Sequence, residues 1–263
     1  MSEVHDLTGP TDDAAGHAPV GHDPAAHAAA VAAAVEVLQG GGLVVAPTDT
    51  VYAVLADAFN LDATARLRRL RGTAATSPLT VLLRSPKQLA GLVTEVPLAA
   101  ERLMAAFWPG PLTLILPDAG AMRWDIGRTD GTVAVRMPLD DVAIELAKAV
   151  GPIAFSAAGR AGDPPPVTVD EARQVLGDEV ACYLDAGPRS DRAVSTVVDL
   201  TRAEPAVLRV GLLPAEPVLE VATGRLDPLD AMDAVEGYDG TRPPDADEPD
   251  PGATADGPLD AEG

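Results

Sequence analysis

Histidine is missing from the body of this 263-residue chain: His5, His17, His22 and His27 all fall in the first 27 positions. The remainder therefore has no imidazole for a Ser-His-Asp triad, a histidine base or a histidine-ligated metal. Those four stand in or beside a Gly/Pro/Asp-rich stretch and read as parts of a solvated tail rather than a metal site. Lysine is nearly as scarce. Lys87 and Lys148 are the only two, so any positive charge in a site must come from arginine. A single cysteine, Cys182, excludes an internal disulfide and fits a reducing compartment. Aromatics make up 3% of the chain, which leaves Ala, Val and Leu to build the core. No basic start leads into an apolar run, and no stretch of roughly 18 apolar residues occurs, so the expectation is a cytoplasmic protein with no membrane association. The Gly-x-Gly-x-x-Gly fingerprint and the P-loop are also absent, which removes the two commonest phosphate cradles.

The net charge of −21 is unevenly spread. Residues 1–24 contribute −5 and residues 225–263 contribute −10, leaving −6 for the 200 residues between. A mildly acidic middle argues against broad electrostatic capture of nucleic acid, which needs a basic stripe. A small arginine pocket for phosphate remains compatible with it.

Residues 1–24 and 222–263, rich in Asp, Gly, Pro and Ala without sustained hydrophobic periodicity, are expected to be disordered acidic tails, with at most a short helix near Leu226–Val235. Between them, 25–221 reads as one α/β domain. Helices are predicted over 25–39, 61–71, 97–107, 140–150 and 169–176 from apolar spacing and terminal signals. Strands are predicted over 43–46, 79–83, 112–116, 132–136, 153–156, 180–184, 195–200 and 206–209. Strands interleaved with covering helices indicate a twisted mixed β-sheet sandwiched by helices.

Five short segments carry polar residues inside or beside apolar runs. Pro47-Thr48-Asp49-Thr50-Val51-Tyr52 directly follows a strand, where ligands commonly bind, although Thr and Asp also serve as ordinary turn formers. Thr113 is the polar member of Leu112-Thr113-Leu114-Ile115-Leu116 and is also a good strand former. Arg136 ends the strand Thr132–Arg136, where a guanidinium either grips a ligand carboxylate or makes a structural salt bridge. Ala154-Phe155-Ser156-Ala157 and Ser195-Thr196-Val197-Val198-Asp199-Leu200, the latter followed by Leu208-Arg209-Val210-Gly211, complete the set.

In this order, the segments resemble the YrdC-like family of L-threonylcarbamoyl-adenylate synthases, and the resemblance runs from about Ala25 to Pro214. It implies condensation of L-threonine, bicarbonate and ATP with release of pyrophosphate, with Mg²⁺ accompanying the nucleotide. The intermediate so formed is used to modify an adenosine of tRNA, which implies tRNA or tRNA-modification proteins as partners. By motif position, Thr48, Arg136 and Ser195 would hold threonine. Arg71, Thr113, Ser156 and Arg209 would line the nucleotide side. No residue is assigned as acid, base or metal ligand.

The chain also departs from the family pattern. Where members carry Lys-Gly-Arg-Pro and then Lys-Pro-Leu, it reads Arg71-Gly72-Thr73 and then Ser77-Pro78-Leu79. The Ser-Ala-Asn segment becomes Ser156-Ala157-Ala158, with Arg160 nearby as a new positive charge. Two functions therefore stand: a synthase with a diverged phosphate loop, or a paralogue that binds nucleotide, amino acid or RNA without turnover.

Overall fold

A computed structural model describes residues 2–8, 23–190 and 192–236. Its strands are β1 (Glu3–Asp6), β2 (Val44–Ala46), β3 (Ala53–Asp57), β4 (Thr80–Leu82), β5 (Leu112–Pro117), β6 (Thr132–Arg136), β7 (Ile153–Ala157), β8 (Cys182–Asp185), β9 (Thr196–Asp199) and β10 (Ala206–Arg209). They form one mixed sheet in the order β1-β8-β2-β3-β7-β4-β6-β5-β9-β10. The helices are α1 (Pro24–Gln39), α2 (Leu61–Arg71), α3 (Leu98–Phe107), α4 (Asp141–Val150), α5 (Val169–Leu176), α6 (Ala215–Thr223) and α7 (Ala231–Glu236).

Strand alternation divides the apolar side chains between two cores. Val45, Val54 and Ala56 join Leu67 of α2, Leu103 of α3, Ala172 of α5 and Val218 of α6 on one face. Val44, Ala46, Ala53 and Leu55 join Ala34 and Leu38 of α1 and Leu146 of α4 on the other. With both faces covered, the central strands have no polar side to show, so β3 is buried along nearly its whole length. The expected helix-covered mixed sheet is what the chain forms.

Local chemistry sets the helix ends. Asn60 caps α2 by accepting from the Ala63 amide at 3.0 Å. At the other end Gly72 closes the helix at φ 72°, a left-handed conformation that favours glycine. That pairing fixes α2 at the predicted 61–71.

Two tail boundaries need correction. Residues 3–6, expected in a structureless tail, form β1 and pair in parallel with β8, Val4 beside Tyr183. At the other end the domain does not stop at 221. Helix α6 runs to Thr223, and α7 follows with Ala231 fully buried in the larger core. The remaining tail positions, 9–22 and 237–263, lie outside the described residues. β3 is an element the sequence reading did not contain. No described helix is long and apolar enough to cross a membrane.

Candidate functional site

The loop Pro47–Tyr52 leaves β2 and returns as β3, and its hydroxyls fold back on their own backbone. Thr48 Oγ1 donates to the Val51 carbonyl at 2.7 Å and lies 2.9 Å from Thr50 Oγ1. Tyr52 anchors the end of the loop: its fully buried phenol donates to the Gly187 carbonyl at 2.8 Å and accepts from the Ala186 amide. Burial pushes that hydroxyl well above the ordinary tyrosine range, so it stays neutral.

Arg136, at the end of β6, reaches under this loop. Its Nη2 donates to Asp49 Oδ1 at 2.7 Å, Nη1 to Thr50 Oγ1 at 3.2 Å and Nε to the Gly110 carbonyl at 3.1 Å. The Arg136 and Asp49 side chains are only 3% and 9% exposed. Burial pulls the guanidinium below its ordinary range, and the Asp49 carboxylate opposes that shift. Next to it, burial raises Asp140 to about 6, against the pull of an amide bond from Ala143 and of Arg189.

On the adjacent strand β5, Thr113 stands opposite Arg136 in the antiparallel register. Its hydroxyl lies 2.9 Å from Ser195 Oγ. Arg209, ending β10, clasps the same serine, donating from Nε and Nη2 to the Ser195 carbonyl and from Nη2 to its hydroxyl at 3.1 Å. Thr113, Ser195 and Arg209 thus form one connected polar group, although 96 positions separate the outer two.

Both groups face a single cavity of about 180 Å³ that opens to solvent. This is below the roughly 300–1,000 Å³ typical of ligand pockets, so the cavity by itself does not enclose a nucleotide-sized molecule. Thr48, Arg136 and Ser195 line it, and so do Arg71, Thr113, Ser156 and Arg209, so all seven sequence-selected residues converge there. Thr50, Thr80, Arg160 and Asp163 line it as well and were not selected. Thr50 sits inside a motif already noted. Thr80 and Asp163 carried no sequence signal of their own. Thr73 and Ser77 are not part of the lining. Their loop is turned toward Arg68 and the 126–128 segment, with Arg68 Nε donating to the Ser77 carbonyl and the Arg128 amide to the Thr76 carbonyl.

Among the described residues, Asp163 is the one carboxylate lining the cavity, and Asp49 is committed to Arg136. Among the described residues, no group of three or more His, Cys, Asp or Glu side chains is placed to hold a metal. Cys182 is buried, which raises its thiol to about 11 and keeps it unreactive.

The Sua5/YciO/YrdC family model, described as "Telomere recombination", matches residues 36–211. The chain belongs to this family. A Mycobacterium tuberculosis (strain H37Rv) protein named "Putative threonylcarbamoyl-AMP synthase" is 48% identical over 199 residues, covering 76% of this chain and 92% of that protein. The threonylcarbamoyl-AMP synthase of Pyrococcus abyssi is 37% identical over 185 residues, covering 70% of this chain and 54% of that one. Among solved structures, P. abyssi Sua5 complexed with L-threonine superposes with a TM-score of 0.69 at 36% identity, over 73% of this chain and 56% of that chain. The present chain thus spans little more than half the length of the archaeal Sua5. Escherichia coli YciO matches with a TM-score of 0.69 at 25% identity, over 83% of this chain and all of that one.

Proposed function

We propose that this chain is an L-threonylcarbamoyl-AMP synthase. The observation that carries the reading is the convergence of the seven family-selected residues on one cavity, in a chain whose curated relatives are named for that activity. The threonine amine bonds to the carbon supplied by bicarbonate, losing a proton and, overall, one water. An oxygen of the resulting carbamate then attacks the α-phosphorus of ATP. The bond from that phosphorus to the bridging oxygen breaks, and pyrophosphate departs.

Arg136 has five N–H groups, of which three are committed to Asp49, Thr50 and Gly110. One N–H on each terminal nitrogen is left for the threonine carboxylate, a bidentate geometry that guanidinium suits. Thr48 and Ser195 supply hydroxyls to the same substrate. Thr113, Ser156, Arg71 and Arg209 face the nucleotide, where developing charge is stabilised by preorganised donors and cations. Mg²⁺ enters as part of the substrate, held by the phosphates. The product serves tRNA modification in the cytoplasm, with tRNA or a tRNA-modification protein as the receiving partner.

Incubating the purified protein with L-threonine, bicarbonate, Mg²⁺ and ATP tests this directly. Pyrophosphate and the adenylate should accumulate together and only when all four are present. The second reading, binding without turnover, is favoured by one feature: Thr73 and Ser77 replace family cations and do not line the cavity. Saturable binding of ATP or threonine by calorimetry with no pyrophosphate above a blank would establish that reading and overturn the first.

A further inference from the structure

Four arginines line the cavity, and they are not equivalent. Arg136 is neutralised by Asp49 and fixed by three hydrogen bonds. Arg209 grips Ser195 through two of its nitrogens. Arg71 Nη1 donates to the Gly159 carbonyl at 2.7 Å. The Arg160 guanidinium is exposed and makes no hydrogen bond or ion pair among the described residues, the lining carboxylate of Asp163 included.

The backbone that carries Arg160 is pinned on both sides. The Ala161 amide donates to the Arg71 carbonyl at 2.8 Å, while the Gly159 carbonyl accepts from the Arg71 side chain. One residue earlier, the Ala158 amide donates to the Tyr52 carbonyl at 2.8 Å. The loop is thus tied both to the end of α2 and to the threonine-motif loop. The Arg160 side chain lies over Gly72, the left-handed glycine closing α2, with Nη1 4.0 Å from where a Cβ would stand. A cation with no partner among the described residues, on a backbone held in place beside a second arginine, is arranged to receive an anion.

We infer that Arg160, paired with Arg71, binds the β- and γ-phosphates of ATP, supplying from the loop after β7 the charge that Thr73 and Ser77 lack. The inference rests on the synthase reading, since that reading makes ATP the ligand. It assigns Arg160 a positioning role in holding the polyphosphate, apart from the groups that meet threonine.

Calorimetric titration with a non-hydrolysable ATP analogue plus Mg²⁺, with AMP and with L-threonine, on the full chain and on Arg160→Ala and Arg160→Lys, tests it. Arg160→Ala should weaken the ATP analogue about tenfold, the effect of losing one charge-assisted contact. AMP and threonine affinities should stay within about twofold of the parent, and Arg160→Lys should recover part of the loss. Because Arg160 is exposed, the thermal midpoint of Arg160→Ala should match the parent and show that the fold is retained. Unchanged affinity of Arg160→Ala for the ATP analogue overturns the inference and leaves the synthase reading standing. An equal loss for AMP also overturns it, because the contact would then lie at the α-phosphate or the nucleoside. If the parent chain binds neither ATP analogue nor AMP, the synthase reading fails and the inference fails with it.

Discussion

Arg136 and Asp49 meet at 2.7 Å with both side chains almost wholly out of solvent. The second oxygen of Asp49 is buried without a hydrogen bond among the described residues. The pair therefore supports the fold at the same point where Arg136 lines the cavity, so the salt-bridge reading of Arg136 holds and its grip on a ligand carboxylate belongs to the proposal.

Arg136→Ala should consequently cost stability as well as ligand affinity. Removing one member of a buried pair strands the other charge, typically at about 3–5 kcal/mol. The double variant Asp49→Ala, Arg136→Ala should recover a large part of that loss. Urea denaturation of the single and double variants checks it. Additive destabilisation would mean that the two side chains do not act as a pair.

Asp140 makes stability depend on pH in a defined direction. Burial raises its carboxyl to about 6 in the folded protein from an ordinary 3.8. Between those values the folded state holds a proton that the unfolded state has released. The associated stability is fully present below about pH 4 and is lost as pH rises through 6, on the order of 2–3 kcal/mol in all. Asp140 also caps α4 by accepting from the Ala143 amide, a role asparagine can take over. Asp140→Asn should keep the cap and flatten this part of the profile. Urea midpoints from pH 4 to pH 7 for parent and variant measure it, and an unchanged slope would exclude Asp140 as its source.

Gly211 governs the placement of Ser195. A Cβ on it would stand 2.1 Å from the Val194 carbonyl oxygen and 2.5 Å from the Ser195 carbonyl carbon, both backbone atoms that cannot swing aside. Gly211→Ala should push the 194–195 segment outward, break its fit to Thr113 and Arg209, and destabilise the fold by about 1–3 kcal/mol. Threonine and ATP affinities should fall together in calorimetry. Wild-type affinity for both would show that the segment yields without consequence.

Elements with local signals were legible in the sequence. Helix α2 has Asn60 and Gly72 to mark its ends and falls where expected. β3 was not seen because Ala53-Val54-Leu55-Ala56-Asp57 lacks the branched and aromatic content that marks strands, and its place is fixed by pairing with β2 and β7. β1 was missed for a similar reason, since four residues acquire strand structure only through β8, almost 180 positions away. At the site, the ordered motifs located seven residues without any geometry. They gave no sign that Asp49 closes on Arg136 across 87 positions. In the sequence Arg160 registers only as a local charge, because its lack of a partner among the described residues depends on which side chains surround it in space.

The attachment of β1 bears on how the protein behaves in solution. Glu3-Val4-His5-Asp6 is now the margin of the sheet, a short strand rich in ionisable side chains and a poor template for further pairing. Behind it lies β8, where Cys182, Tyr183 and Leu184 are buried. Trimming the first eight residues would expose the backbone of that apolar strand and remove Leu7 from its core. The trimmed chain should self-associate, with sheet edges meeting between molecules, while the arginine-lined cavity at the other strands stays intact.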